Sequence, residues 1–237
     1  MAIIKTPGNY PKRIGNYVIY TSREQIILRS ISGFTSAALK KSAKYKKCRQ
    51  NASEFGRLSA LCKTIRIALQ PILPKANNLA IVNGCTKIMR EVMTFDTVSK
   101  KGMRTLEAGL STIEGKLHLQ NYQFNPQITY ALPVTVSDTV TIDATAIVFP
   151  KQSQYVAATV HYLDCDWETK NHMLITGEKT LYKRNEIPAI LTLPLPEETT
   201  KGTVFTILEL AFYKKVKGNL VTMEEDSSKV VMILRVE

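Results

Sequence analysis

The sequence lacks the marks of several large protein classes. It contains no apolar run of the roughly 18 to 20 residues that a membrane-spanning helix needs. Near the start, Pro7 and Gly8 interrupt the short apolar stretch, so we expect no secretory signal and synthesis in the cytoplasm. The final location stays open, and an extracellular or virion-like assembly is one alternative. Four cysteines without a Cys-x-x-Cys pair, together with three histidines, do not complete a zinc-ligand pattern.

Signatures of catalysis are also missing. The chain has no Gly-x-Ser-x-Gly elbow and no glycine-rich phosphate loop. Its densest group of reactive side chains surrounds Trp167 and allows two alternatives, a Cys165–His172 dyad and a calcium site. The aspartates available for calcium have no EF-hand spacing; they are Asp138, Asp143, Asp164 and Asp166. The simpler interpretation is a polar strand end and turn, and we predict a protein that is not an enzyme and uses no metal or cofactor.

Acidic residues are scarce in the first part of the chain. Residues 1–105 hold 20 Lys and Arg against four acids, a net charge of +16, whereas residues 106–237 hold 12 against 16, a net charge of −4. Such an asymmetry predicts that the front of the chain meets something anionic, either nucleic acid or the acidic half of a neighbouring copy. The candidate anion contacts are Lys40, Lys41, Lys44, Lys46, Lys47, Arg49, Lys100, Lys101 and Arg104.

The N-terminal region reads as an arm followed by a β-hairpin. Tyr17–Thr21 and Gln25–Ser30 are the predicted strands, with the turn at residues 22–24, and the prolines and glycines before them predict an extended arm. A two-stranded ribbon is marginal in water, so its free edges are expected to pair with another chain, or the arm and hairpin fold back onto their own subunit. The predicted assembly contacts are Tyr17, Ile19, Ile26, Leu28 and Ile31.

The middle of the chain has the spacing of amphipathic helices. After a short helix from Ser36, we predict a helix that starts at Asn51 or Ser53 as N-cap and stops at Pro71. A second helix is predicted from about Asn77 to Thr94, packed on the first as a hairpin. The apolar stripes are Phe55, Leu58, Leu61, Cys62, Ile65 and Leu69 on the first helix, and Ile81, Cys85, Ile88, Met89 and Val92 on the second.

Beyond Gly115 the pattern changes to the period of two that is typical of strands. Candidate strands are 117–124, 127–132, 139–142, 144–149, 155–163, 173–182, 189–193, 204–213, 219–224 and 229–236, and Lys217-Gly218-Asn219 is a predicted hairpin turn. The fold class predicted is α+β, with an antiparallel β-sandwich, Ig-like or jelly-roll, at the C-terminus. The predicted domains are residues 1–32, the arm and hairpin; 33–113, the basic helical region; and 114–237, the sandwich.

The layout resembles a family of uncharacterised Bacteroidota proteins with a domain-of-unknown-function label. The likeness rests on Gly15-Asn16-Tyr17-Val18-Ile19-Tyr20, on Asn51-Ala52-Ser53-Glu54-Phe55-Gly56, on Lys101-Gly102-Met103-Arg104-Thr105 and on Leu210-Ala211-Phe212-Tyr213. It covers most of the chain, although Lys214 and Lys215 replace the more polar continuation typical of that pattern. The resemblance implies the order of structural elements and no activity.

These observations predict a non-enzymatic structural subunit that polymerises with copies of itself into a filament, tube, shell or appendage. The hairpin, the charge asymmetry and the missing active site favour this function, since a head-to-tail contact that does not close gives a fibre or tube. A first alternative is a nucleic-acid-coating protein that uses the basic cluster at residues 40–49 without sequence specificity. A second alternative is a ligand- or glycan-binding module built on the strand-end loops around Asp164–Trp167.

Overall fold

In a computed structural model the chain forms two compact units, residues 1–50 and residues 51–237. The structure describes residues 2–4, 8, 10–31, 35–75, 78–197, 202–223 and 228–237. The predicted boundary at 32/33, part of the predicted arm and the predicted start of the second helix at Asn77 lie outside these residues. None of the described helices is long and apolar enough to cross a membrane.

The N-terminal unit is built on a four-stranded antiparallel sheet, called the N-terminal sheet below. Its strands are β1 (Ala2–Ile4), β2 (Arg13–Ile14), β3 (Tyr17–Ser22) and β4 (Gln25–Ser30), in the order β1-β4-β3-β2. The predicted hairpin is confirmed as β3 and β4, and its two-residue turn holds Arg23 and Glu24 at φ of 47° and 64°, as a type I′ turn requires. The predicted arm folds back on the hairpin, because β1 pairs with β4 and β2 pairs with β3.

Helices follow the sheet. They are α1 (Ser36–Lys41), α2 (Lys46–Leu69), α3 (Asn78–Met93), α4 (Leu106–Leu110) and α5 (Ile113–Leu119), with a 3₁₀ turn at Ala43–Tyr45. The predicted start of the first long helix at Asn51 or Ser53 is wrong, because α2 begins at Lys46 and runs through both residues. Lys, Arg and Gln are good helix formers, so residues 46–50 extend the helix without an apolar stripe of their own.

The C-terminal half is antiparallel and rich in sheet, as predicted. The main sheet consists of β7 (Tyr155–Asp166), β8 (Asn171–Lys183), β10 (Thr203–Val216), β11 (Asn219–Thr222) and β12 (Lys229–Val236). Its order is β8-β7-β10, and β12 and β11 pair with successive parts of β10. The small sheet consists of β5 (Val134–Val136), β6 (Thr139–Asp143) and β9 (Ile190–Pro194), in the order β5-β6-β9. The predicted turn at Lys217-Gly218 is confirmed, since it joins β10 to β11 with φ of 50° and 90°.

Three of the predicted strands are wrong. Residues 117–119, predicted as the start of a strand, form the end of α5, because the Thr112 hydroxyl accepts the Gly115 N–H and caps a helix at residues 113–119. The next residues do lie along β12, where the Asn121 N–H donates to the Ile233 carbonyl at 2.8 Å. Residues 127–132 are irregular, and 144–146 form a 3₁₀ turn capped by Asp143.

Two hydrophobic cores lie on the two faces of the main sheet. On one face the stripes of α2 and α3, including Cys62 and Cys85, pack with Leu163, Phe205 and Ile233 of the sheet. On the other face the small sheet packs through Ile142, Leu193 and their neighbours. Residues 51–113 therefore share a core with residues 114–237, and the two units differ from the predicted division into domains.

Candidate functional site

The register of the N-terminal sheet places six of its apolar side chains on one face. Tyr17, Ile19, Ile26 and Leu28 were predicted as assembly contacts, and cross-strand pairing aligns Ile19 with Leu28 and Thr21 with Ile26. Side chains alternate along a strand, so all four lie on the same face. Pairing of β1 and β2 adds two more to the set. The apolar face is thus defined as Ile4, Ile14, Tyr17, Ile19, Ile26 and Leu28.

This apolar face is partly open to solvent, since two of its six side chains are exposed and three are half-buried. Ile19, at 7% exposure, is the one buried side chain among the described residues of the N-terminal unit. Ile14 and Tyr17 are 51% and 50% exposed, and the others on this face are half-buried. Helix α1 buries no side chain, so the described part of this unit has no second layer of its own. A sheet with an apolar face normally buries that face against another element.

The apolar face is concave around Ile19. Tyr10 and Lys12 stand with Ile19 and Ile26 around a concavity of about 500 Å³, and the Ile19 N–H donates to the Lys12 carbonyl at 3.0 Å. The concavity is therefore lined by the apolar side chains of Ile19 and Ile26 and, on one side, by the cationic Lys12. A protruding apolar side chain of a partner would fit such a shape better than a flat surface would.

Ile31, the fifth predicted contact, is placed differently. It follows β4, and its N–H donates to the Asn16 carbonyl at 2.6 Å. Strand alternation puts its side chain on the face opposite to Tyr17 and Leu28. That opposite face also carries Ile3, which is 54% exposed, and Tyr20, whose ring lies 5.5 Å from the Arg29 guanidinium.

The predicted anion contacts separate into exposed and structural residues. The lysines between α1 and the start of α2 are exposed, and none forms a salt bridge with the described residues; they are Lys40, Lys41, Lys44, Lys46 and Lys47. Arg49 instead donates to the carbonyls of Leu39 and Ser42 at 2.7 and 2.9 Å, so it holds the end of α1. Lys100 and Lys101 are exposed on a separate loop.

Arg104, the last predicted anion contact, forms an ion pair with the buried Glu54. Its Nη2 lies 2.9 Å from Oε2 of Glu54, and its Nε donates to Oε1 at 3.0 Å. The Gly102 N–H donates to the same Oε1 at 2.6 Å. The hydrogen bond from Arg104 chiefly lowers the pKa of Glu54, from its ordinary 4.5 to about 2, against the opposing effect of burial. This pair joins α2 to the loop before α4, which is a structural role.

The Cys165–His172 dyad, the alternative that the sequence analysis did not favour, has neighbouring residues but no hydrogen bond between them. The two residues are cross-strand partners on β7 and β8. Burial raises the pKa of the Cys165 thiol and lowers the pKa of His172, so both groups are neutral near pH 7. A cysteine nucleophile needs a thiolate, and these surroundings oppose one.

Trp167 and two of the candidate calcium ligands, Asp166 and Asp143, serve the local structure. The Trp167 indole N–H donates to the Thr203 hydroxyl at 2.7 Å, and its ring packs edge-on against His172. Asp166 accepts N–H groups of the following turn, and Asp143 caps a 3₁₀ turn. No group of three or more potential metal ligands occurs among the described residues.

One polar cluster was missed by the sequence-based interpretation. The Glu209 carboxylate on β10 has two partners. Its Oε2 lies 3.1 Å from His161 Nε2, and its Oε1 lies 2.8 Å from Lys229 Nζ. The other ring nitrogen of His161, Nδ1, lies 3.3 Å from the Thr176 hydroxyl. Burial raises the pKa of Glu209, but the two donors outweigh it and leave the pKa below its ordinary value. The available signal was a single acid within the apolar run of β10, since a buried acid needs partners.

Comparisons with protein-family models, with curated proteins and with solved structures found no match for this chain. The resemblance to a Bacteroidota family stays a prediction.

Proposed function

We propose that this protein is a non-enzymatic structural subunit that assembles with copies of itself through the N-terminal sheet. The observation that carries the proposal is the exposed apolar face of that sheet, with Ile14 and Tyr17 about half exposed and no second layer among the described residues of the unit. Burying such a face removes apolar area from water at about 25 cal/mol per Å². An assembly that covers this apolar face is therefore lower in free energy than the separate chains with the face exposed.

Charge favours a second copy as the partner. Residues 1–50 hold 11 Lys and Arg against one acid, so ten of the twelve net positive charges of the chain lie in the N-terminal unit. Residues 106–237 carry a net charge of −4, and they offer the complementary sign on another molecule. A head-to-tail contact of this kind is heterologous and repeats into a fibre or tube unless its rotation closes a ring.

The folded arm shifts the expected contact from the hairpin edges to the sheet face. Strand addition to β3 or β4 requires a free edge, and β2 and β1 already pair with them. The outer edges that remain are two or three residues long, which gives few backbone hydrogen bonds to a partner. We therefore expect side-chain burial on the apolar face to supply the affinity and the charges to steer the approach.

The experiment compares two double variants by analytical ultracentrifugation and negative-stain electron microscopy. The variant I14K/Y17K places two cations on the apolar face at positions that are already half exposed, so its fold is expected to persist. The wild-type chain is expected to form large assemblies and I14K/Y17K to sediment as a single chain. The fold of both is checked by circular dichroism.

The matched control is L79K/V98K, because Leu79 and Val98 are apolar, 74% and 94% exposed, and outside the N-terminal unit. It adds the same charge and should assemble like the wild type. A wild-type protein that stays a single chain at high concentration contradicts the proposal. Assemblies of I14K/Y17K that match the wild type contradict the role of the apolar face.

A second candidate function is the non-specific coating of nucleic acid. The observation that favours it is the exposure of the five lysines at positions 40, 41, 44, 46 and 47 within eight residues. If each contacts one phosphate of duplex DNA, the affinity should fall with a slope of about −4.5 in log K against log salt. The apolar face has no part in this function, so I14K/Y17K should bind nucleic acid at least as well as the wild type.

Neutralising variants test this candidate. Changing the five lysines to glutamine should remove retention of a mixed-sequence duplex at low salt. The control changes five exposed lysines elsewhere to glutamine; they are Lys63, Lys75, Lys87, Lys151 and Lys215. Equal losses in both variants would mean that overall charge, and not this cluster, holds the nucleic acid.

A further inference from the structure

A cationic concavity lies between the end of α2 and the start of α3. It has a volume of about 450 Å³, and its lining residues come from these two helices and the link between them. Three of the lining side chains are cationic, Lys63, Arg66 and Lys75, and none is acidic. Concavities of this size are typical of sites that bind small molecules. The charges of its wall therefore favour an anionic ligand.

Helix periodicity brings the lining side chains together. Arg66 and Ile67 follow Lys63 by three and four positions, so the three side chains lie on one side of α2. Asn78 and Ile81 are three positions apart on α3 and line the opposite wall. Two of the three cations thus stand on a long helix, which holds them in fixed positions as a binding site requires.

The charge of Arg66 has no partner within the chain. The residue is half-buried and forms no salt bridge with the described residues. Its Nη1 is buried and has no hydrogen-bond acceptor among them. The helix dipole favours a cation in the last turn of α2, which explains a basic residue at this position. It does not explain the missing acceptor, because a buried guanidinium nitrogen without one costs free energy.

The helical hairpin contains no acid that could neutralise Arg66. Residues 55–90 hold six Lys and Arg and no Asp or Glu. The one acid of α2, Glu54, lies about 18 Å from Arg66 along the helix and already pairs with Arg104. A counter-charge for Arg66 therefore has to come from a bound anion.

We propose that this concavity binds a phosphate monoester, with its phosphate group at Lys63, Arg66 and Lys75. A guanidinium donates two parallel hydrogen bonds to a phosphate, and a dianion matches three cations better than a carboxylate does. The organic part of the ester lies against the apolar lining residues, which are Ile67, Leu73, Pro74, Ile81 and Val82. Every lining residue belongs to residues 51–237, so this site is separate from the assembly face of the N-terminal sheet.

The first test compares three probes by isothermal titration calorimetry at constant ionic strength. Phenyl phosphate should bind at one site per chain. It should bind at least about tenfold more tightly than benzoate, which has the same ring and a single negative charge. It should also bind about tenfold more tightly than inorganic phosphate, which has no apolar part to bury. Equal affinity for the three probes, or no binding of phenyl phosphate, would overturn the proposal.

The variant Arg66→Met tests whether the guanidinium serves a ligand or the fold. Methionine fills the position without a charge, so the variant without ligand should melt within about 2 °C of the wild type or above it. Its affinity for phenyl phosphate should fall by at least about tenfold. A clearly lower melting temperature would overturn the role of Arg66, because it would mean that the guanidinium stabilises the fold by itself. Unchanged affinity would overturn the site.

Two further variants locate the binding. Lys87→Met is the matched control, since Lys87 is exposed on α3, carries the same charge and lies outside the concavity. It should bind phenyl phosphate like the wild type. The double variant K63Q/K75Q changes two exposed residues, so its fold is expected to persist, and its affinity should fall by at least about tenfold. An equal loss in Lys87→Met would overturn the proposal, because net charge and not this concavity would then hold the ligand.

Discussion

At the scale of single residues, the buried carboxylate of Glu54 and the partly buried one of Glu209 define the polar organisation of the larger unit. Glu54 is held by Arg104 and the Gly102 N–H, and Glu209 by His161 and Lys229. Each stands out in the sequence from its neighbours, since Glu54 lies in the basic half of the chain and Glu209 in an apolar strand. The sequence could not name their partners, because Arg104 lies 50 positions from Glu54 and only the fold brings them together.

We predict that Glu54→Gln lowers the free energy of unfolding by about 2 to 3 kcal/mol at pH 7. The substitution removes the ion pair and leaves the partly buried Arg104 guanidinium without its counter-charge. Chemical unfolding measures the difference. Glu178→Gln, on the exposed side of β8, is the control and should change stability by less than about 0.5 kcal/mol. Equal effects would refute the role of the pair.

The same pair predicts a pH dependence with a defined direction. The pKa of Glu54 falls from 4.5 to about 2 on folding, so the folded state binds fewer protons in this range. Its contribution is fully present above about pH 4.5 and is lost as the pH falls towards 2. The stability difference between wild type and Glu54→Gln should therefore narrow between pH 4.5 and pH 2. A constant difference across this range would contradict the pKa.

At the scale of elements, the periodicity of apolar residues predicts the helices and the long strands. The short helical segments at residues 113–119 and 144–146 depend instead on side-chain caps. The apolar stripe of α2 was predicted well except at Phe55, which is 51% exposed, while Glu54 one position earlier is buried. The spacing of apolar residues on α2 allows either Glu54 or Phe55 to face the core. The ion pair with Arg104 favours the orientation in which Glu54 is buried. The last three residues of α5 were predicted as strand because the helix is short and its cap at Thr112 is a single side chain.

Close packing of α4 and α5 predicts opposite outcomes for two glycine substitutions. At Gly115 an added Cβ would lie 2.0 Å from the Gly109 carbonyl oxygen, so Gly115→Ala should destabilise the protein by at least about 2 kcal/mol. At Gly56, on an exposed position of α2, nothing lies within 4 Å, so Gly56→Ala should stabilise by about 0.5 to 1 kcal/mol. Thermal unfolding of both variants checks this, and a shift of the same sign would contradict the packing.

At the scale of the whole molecule, the two units differ sharply in what they bury. Residues 51–237 contain both hydrophobic cores, whereas the described part of residues 1–50 buries only Ile19. Local stability follows buried apolar contact. The N-terminal sheet is therefore expected to open far more readily than the main sheet when the chain is alone.

Hydrogen exchange of the dilute, unassembled chain should reveal this difference. We expect the amides of β3 and β4 to exchange at least about 100-fold faster than those of β7 and β10. On assembly the protection of β3 and β4 should rise, because a partner then covers the apolar face, while β7 and β10 stay unchanged. Equal protection of the two sheets in the dilute chain would mean that the apolar face is already covered.

The α+β class, the N-terminal hairpin, the helical middle and the buried position of Cys62 and Cys85 can all be predicted from the sequence alone. These features depend on the spacing of apolar residues and on turn chemistry, which act over a few residues. The folded structure was needed to show that the arm closes the hairpin into a sheet and that the helices share a core with the main sheet. Those contacts join segments far apart in the chain, and local patterns carry no information about which distant segment will supply the partner.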